Sequence, residues 1–185
     1  TIHKLLWNHF RAYMINHIWH GRYGYKIDWE NPRDINEKMQ WLACFGDTSL
    51  WALCADKYRV REFLKQRGLE HLAVKLYGVW NNADEIDYDN LPEKFVLKCN
   101  HDQGSVILVS DKNKLTLGDA VHILNKNLNR NLFYGTREYP YKNIKPMVFA
   151  EKYLQDDIVD YKFYCFQGEP KFLYCGKGLT EDHYD

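Results

Sequence analysis

The stretch Phe95-Val96-Leu97-Lys98-Cys99-Asn100-His101-Asp102-Gln103-Gly104-Ser105-Val106-Ile107-Leu108-Val109 decides how the rest of the chain is read. Two apolar runs with β-branched residues flank a short polar loop containing Gly104, the pattern of strand–loop–strand. Strand period puts Phe95, Leu97 and Cys99 on one face and Val96, Lys98 and Asn100 on the other. A lysine inside such a strand needs water or an anionic partner. Two readings follow: Lys98 emerges on the wet side of an antiparallel hairpin, or it reaches a phosphate.

Downstream of this stretch, Thr116 and Asp119 have capping-box spacing ahead of Leu117, Val121, Leu124 and Leu128. Their spacing predicts a helix over 117–130. A polar, aromatic connection over 131–146 leads to a further strand, Met147 to Leu154. From Asp160 the chain alternates on both sides of Gln167-Gly168-Glu169-Pro170, a hairpin signal. A symmetric loop there would set Phe163 opposite Tyr174 and Cys165 opposite Phe172, with Lys162 and Lys171 on the other face.

Upstream, residues 2–19 have apolar positions near helical spacing until Gly21 and Gly24 interrupt them. Asp34 and Glu37 form a second capping-box pattern, for a helix through Met39, Trp41 and Leu42. Residues 47–50 are turn-like, and a helix over 56–67 ends at Gly68 as a C-cap. Ala73 to Trp80 is β-rich. The acidic segment 81–90 reads as a solvated loop.

The 185 residues suffice for a sizeable core in one domain or two lobes. Lys+Arg and Asp+Glu balance at 25 each, so no net field points to nucleic acid or an anionic membrane. An aromatic content of 16% excludes a disordered segment. The five cysteines, at 44, 54, 99, 165 and 175, contain no C-x-x-C and no zinc spacing, which suits a reducing compartment. No apolar run approaches the roughly 20 residues of a spanning helix, and no signal-peptide pattern opens the chain. Its start at Thr1 rather than Met suggests a piece of something longer.

The motifs of the common nucleotide, zinc-protease and serine-hydrolase sites are absent. His101, Asp102 and Ser105 invite a hydrolase reading, but nearness in sequence does not deliver a serine to its base. His17 and His20 lie one turn apart without a third ligand at matching spacing. Asp87-Tyr88-Asp89 has the D-x-D spelling of a metal–diphosphate site, in the acidic loop.

Five segments together resemble one known family: Asn36 to Leu42, Asp56 to Glu62, Leu97 to Asp102, Tyr141 to Pro146, and Asp160 to Phe166 with Gly168 to Phe172. They are similar to the TupA-like ATP-grasp family, named for teichuronopeptide biosynthesis, and the resemblance runs from about Asn31 onward. It implies an α+β, ATP-grasp-like fold. The expected division is an N-terminal amphipathic helix over 1–30, a helical and β-rich part over 31–92, an ATP-clamping small lobe over 93–154, and an incomplete C-terminal lobe over 155–185.

The resemblance also implies a chemistry. ATP-grasp enzymes pass the γ-phosphate of ATP to a carboxylate, and an amine or related nucleophile then attacks the acylphosphate. By position, Lys98 is expected to reach the phosphates, and His101, Gln103, Gly104 and Ser105 to lie in the loop that folds over them, its backbone N–H groups donating. Glu151 would accept from the adenine amino group, with the Lys152–Leu154 backbone (Lys152, Leu154) pairing with the ring. Asp157 is the candidate ribose acceptor, and Lys57 and Lys162 are further phosphate candidates. ATP and Mg2+ are the implied cofactors. The family's metal-binding acidic residues are expected beyond Asp185, and Glu181, Asp182 and Asp185 lack the spacing to replace them. No catalytic or metal-ligating residue is therefore assigned. Where many relatives have two or three glycines, this loop has Gly104 alone.

The expected role is a carboxylate–amine ligase of cell-surface polysaccharide or teichuronopeptide biosynthesis. Its partners would be ATP and amino-bearing and carboxylate-bearing glycan or polymer precursors. It would work in the cytoplasm or at the inner face of the membrane. Two alternatives stand beside it: a glycosyltransferase of polysaccharide biosynthesis, and a nucleotide-binding fragment without activity.

Overall fold

The computed structural model describes residues 2–136, 138–154 and 158–177. At its centre β2 (Phe95–Cys99) pairs with β3 (Ile107–Val109) on one side and β4 (Val148–Lys152) on the other, and β1 (Leu76–Trp80) completes the sheet beyond β4. All three pairings are antiparallel, in the order β1-β4-β2-β3. The polar loop returns the chain through Gly104, whose φ of +90° is open to glycine at no steric cost. The expected strand–loop–strand is present, followed by helix α5 (Leu117–Leu128).

The period-2 reading determines which face is core. Phe95, Leu97, Cys99, Val148 and Ala150 are buried against Leu124 of α5 and against Ala83, Ile86 and Leu91. Each fully buried large apolar side chain contributes about 1.5–3 kcal/mol, so this layer holds the sheet to its helix. Ala83 and Ile86 come from the segment read as a solvated acidic loop. Its acids are exposed as expected, but a 3₁₀ turn at Ala83–Glu85 lets its apolar residues plug the core. Asn125 of α5 fastens that turn, accepting from the Ala83 N–H and donating to Asp84.

The helices depart from expectation in instructive places. α1 (Ile2–Tyr23) runs past Gly21 and stops before Gly24, whose φ is +78°. It buries Ala12 and Trp19, while Phe10, Met14 and Ile18 of the predicted apolar stripe are exposed beside an open cavity of about 540 Å³. α2 (Ile35–Phe45) is capped by Asp34, which accepts from the Glu37 N–H. Glu37 does not complete the box; its carboxylate instead takes the Arg33 N–H and guanidinium. α2 buries Ala43 and Cys44 and leaves Met39, Trp41 and Leu42 largely outside.

The helix expected over 56–67 begins only at Val60, as α4 (Val60–Gln66), and a separate short helix, α3 (Trp51–Ala55), precedes it. Asp56 divides them: its backbone is extended and its Oδ1 accepts from the N–H groups of Tyr58 and Arg59. A side chain that satisfies backbone donors in this way competes with helix continuation. Thr116 starts α5 without a side-chain cap, so the expected capping box is absent there. The polar, aromatic connection over 131–146 holds α6 (Leu132–Thr136) and a 3₁₀ turn at Tyr139–Asn143.

β5 (Val159–Phe166) and β6 (Glu169–Lys177) form a separate two-stranded sheet. The turn is the two residues Gln167 and Gly168, both with positive φ, rather than a symmetric four-residue loop. Tyr164 therefore opposes Phe172 and Phe163 opposes Leu173, not Tyr174. Cys165 opposes Pro170, after a register irregularity at Tyr164/Cys165. Lys162 pairs with Tyr174, while the irregularity leaves Lys171 without a register partner, its ammonium meeting Glu169 at 2.5 Å.

Candidate functional site

The face of the sheet opposite α5 is not a wet one. Val96, Asn100, Phe149 and Glu151 are all buried on it, and the Lys98 side chain retains only 21% of its exposure. β2–β4 pairing sets Val96 opposite Glu151 and Lys98 opposite Phe149, which makes Lys98 and Glu151 diagonal neighbours on one face. Their side chains form an ion pair, and the ammonium also lies 5.5 Å from the centre of the Phe149 ring. The lysine found its anion within the chain itself.

A second cation shares that carboxylate. Arg61 of α4 places Nη2 2.9 Å from Glu151 Oε2, while Lys98 takes Oε1. The other Arg61 amino group, Nη1, donates to the Val74 carbonyl just before β1. The Tyr58 ring stands 6.4 Å from that of Phe149. The Asp56 cap thus turns the chain so that residues 57–61 cover the Lys98 face.

Lys57 reaches the same neighbourhood. Its N–H donates to the Asn100 carbonyl at 3.0 Å, and its ammonium donates to the Asp102 carbonyl at the start of the loop. Asn100 holds the base of the loop in place, accepting from the Met147 N–H at 2.8 Å and donating to the Lys145 carbonyl at 3.0 Å. Lys57, Lys98, Glu151 and the loop are therefore brought together from three separate parts of the sequence.

Within the loop the candidates divide. His101 is buried, with Nε2 2.9 Å from the Arg130 carbonyl, which fixes that nitrogen as the protonated one. Ser105 is buried too; its hydroxyl donates to Asp102 Oδ1 at 2.5 Å and accepts from the Cys99 N–H at 2.9 Å. These contacts use the two side chains to shape the loop, and His101 reaches a carbonyl rather than Ser105, which removes the geometry a hydrolase would need. Gln103 and Gly104 are the exposed residues at the tip, with Gln103 3.4 Å from the Tyr141 hydroxyl. Burial among apolar neighbours pushes the Cys99 thiol up to about 11.

At the far end of β4, the Lys152 N–H donates to the Lys75 carbonyl at 2.8 Å, so it belongs to the ladder. Tyr153 and Leu154 lie past the last ladder pair, with Leu154 exposed. Lys162 stands on the other sheet, 2.5 Å from Asp160. Asp157, like Glu181, Asp182 and Asp185, lies outside the described residues. Among the described residues no three His, Cys, Asp or Glu side chains converge to hold a metal, so His17–His20 and Asp87–Asp89 gain no third ligand there. Asp87 instead takes the Asn90 side chain at 2.6 Å.

Sequence reasoning missed Arg61. The signal was available: it follows the candidate Lys57 by four residues, one helical turn, inside a segment already singled out.

The model of the TupA-like ATPgrasp family matches residues 37–184. The chain belongs to this family. Comparison with curated proteins and with solved structures returns no match. ATP-grasp membership agrees with the antiparallel four-stranded sheet, its packed helix and the second small sheet, and it suggests a ligase that uses ATP. No helix among the described residues is long and apolar enough to cross a membrane.

Proposed function

We propose that the Lys98 face binds ATP and belongs to an ATP-dependent ligase that activates a carboxylate as its acylphosphate. The observation that carries this is the convergence of Lys57, Lys98 and Glu151 beside the Gly104 loop in a member of the ATP-grasp family. Lys98 and Lys57 supply charge for the phosphates, and the backbone around Gly104 supplies N–H donors. Glu151 accepts from the adenine amino group, and the chain leaving β4 at Tyr153–Leu154 faces the ring edge. His101 and Ser105 act indirectly, by holding the loop.

In the reaction, a substrate carboxylate oxygen attacks the γ-phosphorus and ADP departs. An amine nitrogen then attacks the acyl carbon, and inorganic phosphate leaves as the amide forms. Holding the reactants in line and neutralising charge provides most of the rate in such transfers. The substrates proposed are amino-bearing and carboxylate-bearing precursors of a cell-surface polysaccharide or teichuronopeptide, joined in the cytoplasm where ATP is present.

Titration calorimetry with ADP on wild type, Lys98→Ala and Glu151→Ala tests the site. Each substitution is expected to weaken binding about tenfold, the scale of one lost charge-assisted contact. Unchanged affinity in both variants would refute the assignment.

A further inference from the structure

We infer that Arg61 is a positioning residue for base selection: it holds Glu151 Oε2 in place so that Lys98 can exchange Oε1 for a phosphate without releasing the carboxylate. The inference rests on the nucleotide reading above. Its starting point is that one carboxylate serves two cations of unequal freedom.

Lys98 holds Glu151 by a single ammonium on a flexible stem, diagonal across two strands. Arg61 is anchored twice, through Nη1 to the Val74 carbonyl and through Nη2 to Glu151 at 2.9 Å. A planar guanidinium with two separate partners keeps its geometry when a neighbour departs; a lysine can satisfy only one of those partners at that reach. The side chains of Arg61 and Glu151 are 20% and 11% exposed, so neither has much room to find water instead.

An arriving phosphate competes with Glu151 for Lys98. If Lys98 were the carboxylate's only partner, its departure would leave Glu151 partly buried and unpaired, a costly state that would oppose binding. With Arg61 in place the carboxylate stays paired, and Oε1 becomes vacant at the moment a base could use it. An adenine amino group donates to that oxygen. A 6-oxo purine presents a carbonyl there, and two acceptors face each other. The same two cations thus couple phosphate binding to base choice, with Arg61 fixing the reader and Lys98 moving between partners.

The two cations should therefore fail differently. ADP and inosine diphosphate are titrated into wild type, Lys98→Ala, Arg61→Gln and Arg61→Lys, each first checked for a cooperative melt. Wild type is expected to prefer ADP about tenfold or more, in line with one well-made hydrogen bond to a charged acceptor. Lys98→Ala should weaken both ligands and keep most of the preference. Arg61→Gln should reduce the preference to within about threefold, with Arg61→Lys in between because it retains the charge but not both anchors. Should Arg61→Gln fail to fold, Arg61→Lys alone decides by whether its preference falls. A preference unchanged in the Arg61 variants overturns the inference while leaving the nucleotide site standing. No ADP binding by wild type overturns the nucleotide reading, and this inference with it.

Discussion

The Ser105 hydroxyl accepts the Cys99 N–H at 2.9 Å, tying the loop after β2 back to the last residue of that strand. The same hydroxyl donates to Asp102 at 2.5 Å, and the Lys57 ammonium meets the Asp102 carbonyl. A small buried hydroxyl thus sits between the core strand and the loop that carries Gly104.

Ser105→Ala leaves the Cys99 N–H and an Asp102 oxygen without that partner inside the fold. A buried polar group stripped of its hydrogen bond costs about 1–3 kcal/mol. The variant is expected to unfold at lower urea with an unchanged m-value, and Ser105→Thr to recover part of the loss. An unaltered midpoint in Ser105→Ala would show that the hydroxyl is not needed to hold the loop.

Leu124 is fully buried under the sheet, against Phe95, Leu97 and Cys99. Leu124→Ala removes that packing and leaves a cavity, for a loss of about 2–5 kcal/mol. Leu117 on the same helix is exposed, so Leu117→Ala should change stability by no more than about 0.5 kcal/mol. Equal effects of the two would contradict the assigned face of α5.

The central sheet was legible because its signals are local and periodic. Alternation along 95–99 assigns both faces of β2, and Val121, Leu124 and Leu128 mark the packed face of α5, while Leu117 of the same apolar spacing is exposed. What lay hidden depends on partners far away in sequence. Lys98 looks like a wet-face lysine until β4 brings Glu151 beside it, and Glu151 cannot be paired with Arg61, 90 residues earlier, by any local rule. His101 and Ser105 were legible as loop residues but not as buried ones, since burial depends on the Arg130 carbonyl and on Asp102. The β5–β6 register turned on one conformational fact, the positive φ of Gln167, at a residue type that rarely signals it.

Alkaline conditions should weaken the fold. Burial lifts the Cys99 thiol from an ordinary 9.0 to about 11, and the Tyr88 phenol from 10.0 to about 12. Both groups bind their proton more tightly folded than unfolded, so stability is full below pH 9 and falls as pH rises from about 9 to about 12. The urea midpoint at pH 10 is expected below that at pH 8, and Cys99→Ala should show a smaller drop between the two. At pH 8 a thiol reagent should modify exposed Cys54, Cys165 and Cys175 well before buried Cys44 and Cys99. Fast reaction of all five in the native protein would contradict this burial pattern.

Acid acts through a different pair. Hydrogen bonds from the Arg33 guanidinium and then the Arg33 N–H hold the Glu37 carboxyl below its ordinary 4.5. A carboxylate whose folded value is depressed stabilises the protein above the unfolded value, and that contribution is lost as pH falls through the folded one. Wild type should therefore lose stability below pH 4.5 in a step that Glu37→Gln lacks. Glu37→Gln should be the less stable of the two at pH 7, with the difference narrowing on acidification. Because Asp34 caps α2 through the Glu37 N–H rather than its side chain, the cap survives this substitution, and the helix should keep its circular dichroism. Parallel pH profiles for the two proteins would show that the Arg33–Glu37 pair contributes nothing to the fold.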